Sequence, residues 1–253
     1  MNGRMTHLVS VITPVHGPAA PYLADAYSSL TQQEMPAGWD WEWLIQEDGE
    51  TEDVRPHVPE DSRISFGQGR HGRAGMARTM ALARARGDLV KVLDADDMLT
   101  PGALLRDITV LTAQSGVAWT TSRVLDLLPD GSTVGFEGDP PAGPITQGAV
   151  LERWRTHNYR AQVHPATLCA RRDVVTALGG WMALPASEDT GLLMALNAVS
   201  TGWFTEECGL LYRKWPGQST AQDAHHHEAE RRARMKIIEE RAEALGKLST
   251  WSL

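Results

Sequence analysis

The stretch Gly72–Gly102, GRAGMARTMALARARGDLVKVLDADDMLTPG, decides how this chain of 253 residues folds. Residues Ala74 to Arg86 are strong helix formers almost throughout, and Gly87 supplies a stop. Asp88 to Leu93 (DLVKVL) then reads as a buried strand that ends in the acidic turn Asp94-Ala95-Asp96-Asp97. A helix, a glycine, an apolar strand and then carboxylates past the strand's end describe one unit of a parallel α/β layer. In open sheets of that kind, ligands bind at the carboxyl ends of the strands.

Working outward, the same alternation continues. Leu8 to Thr13 (LVSVIT) is a β-branched, apolar strand ended by Pro14, and Tyr22 to Gln32 reads as a helix. Trp41 to Gln46 is a second strand running into Glu47-Asp48-Gly49, and Arg63 to Phe66 is a brief third. Downstream the rhythm changes. Gly102 to Gln114 is helical; Val117 to Leu128 and Ser132 to Phe136 form a hairpin around Asp130-Gly131. Gly138 to Gly148 is rich in Pro and Gly and reads as a loop. Arg171 to Leu178 and Glu188 to Thr201 are helices, and Phe204 to Arg213 contains a strand. His225 to Leu245 is a charged helix with a thin apolar stripe through Ala229, Ala233, Ile237 and Leu245. That stripe reads as packing on the body of the protein, with a homodimer contact or a membrane-surface role as alternatives.

Composition narrows the function classes. Hydrophobic residues at 42% suffice for a substantial core, while a net charge of -8 argues against a nucleic-acid partner. No run approaches the roughly 20 apolar residues of a membrane span. The first residues, Met1 to His7, show no signal pattern, so a cytoplasmic protein, or one peripheral at a membrane, is expected. Cys169 and Cys208 fit no metal or redox spacing and read as reduced, buried thiols. Arginine far outnumbers lysine (the lysines are Lys91, Lys214, Lys236 and Lys247), a bias that hints at a GC-rich bacterial genome.

The chemistry is suggested by position. Asp48 and the Asp94/Asp96/Asp97 group both follow predicted parallel strands. Carboxylates spaced Asp-x-Asp on a tight turn can hold a hard divalent cation, which can bridge the phosphates of a nucleoside diphosphate and neutralise a leaving group. Taken singly, each acid has a plainer reading. Asp-x-Asp can be a solvated turn, Asp48 an Asp-Gly turn, Asp189 a helix cap, and Arg73 a solvated arginine at a helix start.

Taken in order, the segments VITPVH, QEDGE, GRAGMARTMALARARGDLVKVLDADDMLTPG, LGGW and SED resemble the family 2 glycosyltransferases, over roughly residues 8 to 220. The resemblance implies the GT-A fold. That is an α/β architecture with a Rossmann-like, mostly parallel central sheet, helices on both faces and a smaller acceptor-side subdomain. It implies a hexosyltransferase-type enzyme that uses a nucleotide-sugar, usually with inversion. Residue by residue, Pro14 matches the backbone beside the nucleobase, Asp48 the acid that accepts from the uracil N–H, and Arg73 a basic residue on the nucleotide side. Asp94 and Asp96 match the two acids of the metal motif, with Asp96 the direct ligand of Mg²⁺ or Mn²⁺ and Asp94 acting on ribose or through water. Asp189 matches the catalytic base, with the adjacent Glu188 as the alternative. An inverting transfer needs such a carboxylate opposite the leaving nucleotide, where it can take the acceptor's proton.

Several residues depart from the family pattern. Glu47-Asp48 stands where many relatives have Asp-Asp, and Thr79 where they often have Asn. Trp215 stands where some members have a metal-binding histidine, so either the metal has fewer protein ligands or one of His225, His226 and His227 substitutes; the first is preferred. Rival readings are weaker. Gly67-Gln68-Gly69-Arg70-His71-Gly72 fits a dinucleotide fingerprint in letters only, because it follows the third strand at best. A haloacid-dehalogenase-like phosphatase would need Thr or Val where Met98 stands, and a motif nearer the N-terminus. A non-catalytic nucleotide-sugar binder would be expected to lack Asp189 or the metal acids.

The organisation expected is a nucleotide-sugar-binding half over residues 1–100, an acceptor-binding half over 101–222, and a C-terminal helix and tail over 223–253. A UDP-sugar donor is favoured, on Asp48. The acceptor, offering a hydroxyl or an amine, is a small molecule, a glycan or a lipid-linked sugar, as in natural-product or surface-polysaccharide synthesis. Trp154, Tyr159, His164, Trp181 and Trp203 lie in the acceptor half, where aromatic faces can stack on a sugar or pack a core.

Overall fold

The computed structural model describes residues 7–218 and 227–249. In chain order it contains β1 (His7–Val15), α1 (Leu23–Thr31), β2 (Trp39–Glu47), β3 (Ile64–Gly67), α2 (Arg73–Leu82), β4 (Leu89–Val92) and β5 (Met98–Leu99). There follow α3 (Ala103–Ala113), β6 (Val117–Leu127), β7 (Thr133–Gly135), β8 (Gly143–Ile145) and α4 (Ala149–Thr156). The last elements are β9 (Cys169–Arg171), α5 (Arg172–Ala177), α6 (Glu188–Val199), β10 (Thr201–Arg213) and α7 (Glu228–Ser249).

Among the described residues these strands form one sheet, ordered β3-β2-β1-β4-β9-β6-β10-β5, with β7 on β6 and β8 on β10. β3, β2, β1 and β4 run parallel, as do β6 and β10; β9 is antiparallel to both β4 and β6, so all six long-axis strands share one direction. Each face of this sheet carries its own core. On one side Leu23, Ala26 and Leu30 of α1 and Leu104, Ile108 and Leu111 of α3 pack on Val9, Val11 and Ile45. On the other, residues of α4, α5, α6 and α7 pack with Ile12, Leu44, Val90 and Val92. Helices on both faces of a mostly parallel sheet are the expected α/β architecture.

The junction of α2 and β4 depends on a close approach. A Cβ on Gly87 would lie 2.6 Å from the Leu8 carbonyl and 2.7 Å from the Ser10 nitrogen, so only glycine lets the chain enter beside β1. Its N–H donates to Ser10 Oγ (2.8 Å), and Ser10 in turn donates to buried Glu42 (2.7 Å).

Several expectations need correction. The first strand runs through Pro14 to Val15 instead of stopping at the proline. α2 ends at Leu82, four residues early, because Arg84 and Arg86 turn toward β2. There Arg84 donates to Gln46 Oε1 (2.6 Å) and the Ile45 carbonyl (3.0 Å), and Arg86 donates to Glu42 (2.8 Å). Those tertiary bonds outweigh helix propensity. The predicted loop 138–148 contains β8, and α4 and β9 are further elements beyond those the sequence predicts. The apolar stripe of α7 is out of phase except at Leu245, which is partly buried against the body. Ile237 is 43% exposed and Ala229 and Ala233 are exposed, whereas Met235, Ile238 and Ala242 are buried against the body.

Candidate active site

A cleft enclosing about 1120 Å³, its open mouth included, lies beyond the carboxyl ends of β1, β2 and β4. Pro14, Asp48, Arg73, Asp94, Asp96, Glu188 and Asp189 all line it, though they span 175 positions of sequence between the first and the last. Further lining comes from His16, His71, Arg78 and Tyr212, which the sequence does not single out, and from His164, one of the aromatics expected on the acceptor side. The G-x-G-x-x-G segment forms one rim, as a loop entering α2 that bridges Gly69 to Gly49.

Asp48 follows β2 because its N–H donates to the Val15 carbonyl (2.7 Å), extending the parallel pairing by one residue. Its carboxylate accepts from the Gly72 N–H (2.6 Å) and sits 3.0 Å from His71 Nδ1, so it holds the glycine-rich rim in place. Arg73, exposed at the start of α2, has a left-handed backbone (φ 71°), as does Ser187 (φ 65°) at the start of α6. Non-glycine residues in that region carry strain of roughly 1–3 kcal/mol each and tend to cluster at functional sites.

The acidic turn is crowded. Asp94 accepts from Arg78 (2.5 Å), and Asp96 accepts from the Trp215 indole N–H (2.6 Å). Burial pushes the Asp96 carboxyl above its ordinary range, with the Asp94 charge adding to it and the Trp215 bond opposing. Asp97 is pushed up further by burial and by Asp96 and Asp94. Asp97 faces away from the cleft and accepts from the Arg213 N–H (2.9 Å), tying the turn to the end of β10. Arg213 also donates to the Asp96 carbonyl (2.8 Å), and Trp215 packs on Tyr22.

The opposite wall is the first turn of α6. Gly75 allows α2 to meet it: a Cβ there would lie 2.6 Å from the Met182 carbonyl and 2.9 Å from Glu188 Cγ. Arg78, also on α2, is buried and spans the two walls, donating to Asp94 and to Glu188 (2.6 Å). Burial alone would lower its pKa, but Asp94, Glu188 and Asp189 together raise it, so it stays charged. Burial pushes the Glu188 carboxyl up against the pull of Arg78. Asp189 is half-buried; its Oδ1 accepts from the Thr190 N–H (2.6 Å). His164 packs against Tyr212 at a tilt of 55° (ring centroids 5.1 Å apart), and burial pushes its pKa down despite Asp189 and Asp94.

Of the five acceptor-half aromatics, His164 alone lines this cleft. Trp154 and Trp181 are buried, and Trp203 packs partly buried against the other core. Trp154 and exposed Tyr159 border a separate, smaller cavity. Among the described residues, no three His, Cys, Asp or Glu side chains gather as a complete metal-ligand set. His225 and His226 lie outside the described residues, and His227 precedes α7 and does not line the cleft. No described helix is long and apolar enough to cross a membrane.

Known proteins share both sequence and architecture with this chain. Residues 10–124 match the model of Glycosyl transferase family 2. The chain is 32% identical over 117 residues to the O-antigen biosynthesis protein RfbC of Myxococcus xanthus, across 44% of this chain and 9% of that protein. It is 29% identical over 113 residues to the uncharacterized protein y4gI of Sinorhizobium fredii, across 42% of this chain and 12% of that one. The match thus spans only about a tenth of the length of these curated relatives. Among solved structures, S. aureus TarS 1-349 in complex with UDP-GlcNAc superposes with a TM-score of 0.64 at 17% identity, over 95% of this chain and 71% of that one. The same protein in complex with UDP gives 0.63 at 16%, over 95% and 70%.

Proposed function

We propose, from the premise that the chain belongs to the family 2 glycosyltransferases, that it transfers the sugar of a UDP-sugar, with inversion and with Mg²⁺ or Mn²⁺, to an acceptor hydroxyl or amine. The observation that carries this reading is that the acidic turn and Asp189 line one cleft from opposite walls, with Arg78 bonded to Asp94 on one wall and to Glu188, the residue before Asp189, on the other. The UDP-bound state of the TarS fold neighbour supports the choice of nucleotide.

The donor set suits a divalent cation completed by substrate. Asp94 and Asp96 each have one oxygen bonded, to Arg78 and Trp215, which leaves one oxygen each for a metal. Mg²⁺ binds in just this way, through one or two carboxylates with phosphate oxygens and water filling the remaining positions. When bound, it supplies charge neutralisation for the departing diphosphate. The chain's own residues do the rest. Pro14 and Asp48 border the base; Asp48 keeps lone pairs for the uracil N3–H while it anchors the rim. Arg73 faces the nucleotide side.

Asp189 is the general base. The acceptor oxygen or nitrogen forms a bond to the sugar's anomeric carbon, the bond from that carbon to the β-phosphate oxygen breaks, and the acceptor's proton passes to Asp189 Oδ2 while UDP departs. Glu188 is ill suited, because its carboxylate is buried and already engaged by Arg78.

Asp189→Asn tests this directly. Asp189 lies inside the first turn of α6, where Ser187 is the cap residue, and asparagine keeps the size of the side chain and an Oδ1 that accepts from the Thr190 N–H, so folding and UDP binding should match the parent. Transfer to an acceptor found on a glycan and polyol array should fall by roughly 10²-fold or more. Full transfer in Asp189→Asn, with loss in Glu188→Gln, would move the base by one residue.

A further inference from the structure

A second cavity, about 400 Å³ with its mouth, lies behind the first turn of α6. It is lined by Trp154, Tyr159, Ser187, Thr190, Arg231, Arg234 and Met235. Ser187 lines both this cavity and the cleft, so the two spaces adjoin at the residue before Glu188 and Asp189. Thr190 meanwhile holds Asp189 through its N–H (2.6 Å), so the cavity wall and the base are adjoining parts of one turn.

The chemistry of the lining is one-sided. Two guanidiniums and an indole N–H can only donate hydrogen bonds. The Trp154 side chain is fully buried and its Nε1 has no hydrogen-bond partner among the described residues. The Arg231 guanidinium lies over the Tyr159 ring, 5.7 Å from its centroid. Arg234 is buried and paired with Glu230 (3.5 Å), and among the described residues no carboxylate lines the cavity. Ser187, Thr190 and Tyr159 add hydroxyls. In a chain of net charge -8, a cavity whose described lining holds two arginines and no acid selects for negative charge. Tetrahedral phosphate oxygens, as acceptors without protons to give, match such a donor set.

We propose that this cavity binds a phosphate ester of the acceptor, so that the group glycosylated at Asp189 belongs to a phosphorylated molecule. The inference rests on the glycosyl-transfer reading for the word acceptor, but the anion site stands on its own lining. Phosphate seated beside Ser187 would place a neighbouring hydroxyl of the same molecule on the Asp189 side of the turn.

The test fills the cleft first. Protein saturated with UDP and Mn²⁺ is titrated with glycerol 1-phosphate by calorimetry, in the parent and in Arg231→Gln. The parent should bind, more weakly as salt rises, and Arg231→Gln should weaken binding at least tenfold while leaving UDP affinity unchanged. Arg231→Lys, which keeps the charge but not the fork, should fall between. Absence of binding to the parent, or equal affinity in parent and Arg231→Gln, overturns the proposal. If UDP itself does not bind, the donor reading fails, and the same titration on the free protein still reads the cavity through Arg231. Arg231-dependent capture of phosphatidylglycerol vesicles would assign the phosphate to a lipid headgroup. Binding of glycerol 1-phosphate without vesicle capture would assign it to a soluble ester.

Discussion

Arg78 is the residue on which the two walls of the cleft converge. It lies on the buried face of α2 beside Ala77 and Ala81, and its guanidinium reaches Asp94 at the end of β4 and Glu188 at the start of α6. A buried charge in that position is held by its partners, and its removal strands two carboxylates in a desolvated site. Arg78→Met is therefore expected to cost about 3–5 kcal/mol of stability in urea denaturation, the range for breaking a buried ion pair. Adding Glu188→Gln to Arg78→Met should restore part of the loss, since one of the stranded charges is then gone. A change within about 0.5 kcal/mol, as for an ordinary surface substitution, would show that Arg78 is not the bridge between the walls. The sequence does not single Arg78 out, because helix periodicity marks the position as buried without saying what the side chain will meet 16 and 110 residues further on.

Elements with a strong local signature were legible and those set by tertiary contacts were not. The parallel strands and α2 could be read because β-branched runs, good helix formers and Gly87 act locally. Asp48, Asp94, Asp96 and Asp189 could be placed because strand ends and helix starts are readable; that they share one cleft could not be derived from spacing. β9 is three residues long, too short for any periodicity, and is a strand only because β4 and β6 flank it. The phase of α7 is not legible in the sequence, because its apolar residues are sparse among charges and adjacent faces look nearly alike. Packing on α6 decides the matter, and neighbouring isoleucines report it. Ile238→Ala, at a position 1% exposed, should cost about 2–5 kcal/mol. Ile237→Ala, at 43% exposure, should stay within about 0.5 kcal/mol. Parallel thermal melts of the two variants check this, and the reverse order would put the stripe back on Ala229, Ala233 and Ile237.

At the scale of the whole molecule, the cleft joins strand ends from the first hundred residues to the start of α6 and the end of β10, so ligand binding should stabilise the fold as a unit. A ligand that binds only the folded state adds RT ln(1 + [L]/Kd), about 2.7 kcal/mol at a hundredfold excess over Kd. For a chain of this size each kcal/mol raises Tm by roughly 2–4 °C, so a shift of roughly 5–10 °C is expected with UDP and Mn²⁺ together. The metal should contribute only jointly with the diphosphate. Asp94 and Asp96 each have an oxygen already bonded, and no third His, Cys, Asp or Glu completes a ligand set among the described residues. Mn²⁺ alone should therefore leave Tm nearly unchanged, and UDP in EDTA should give only a fraction of the joint shift. Uridine, which offers the base without phosphates, should give a small shift that is the same in Mn²⁺ and in EDTA. Asp96→Asn should bring the UDP shift in Mn²⁺ down to its value in EDTA while leaving the uridine shift intact. Equal shifts for UDP in Mn²⁺ and EDTA would remove the cation from the reaction and leave charge on the departing diphosphate to Arg73 and its neighbours.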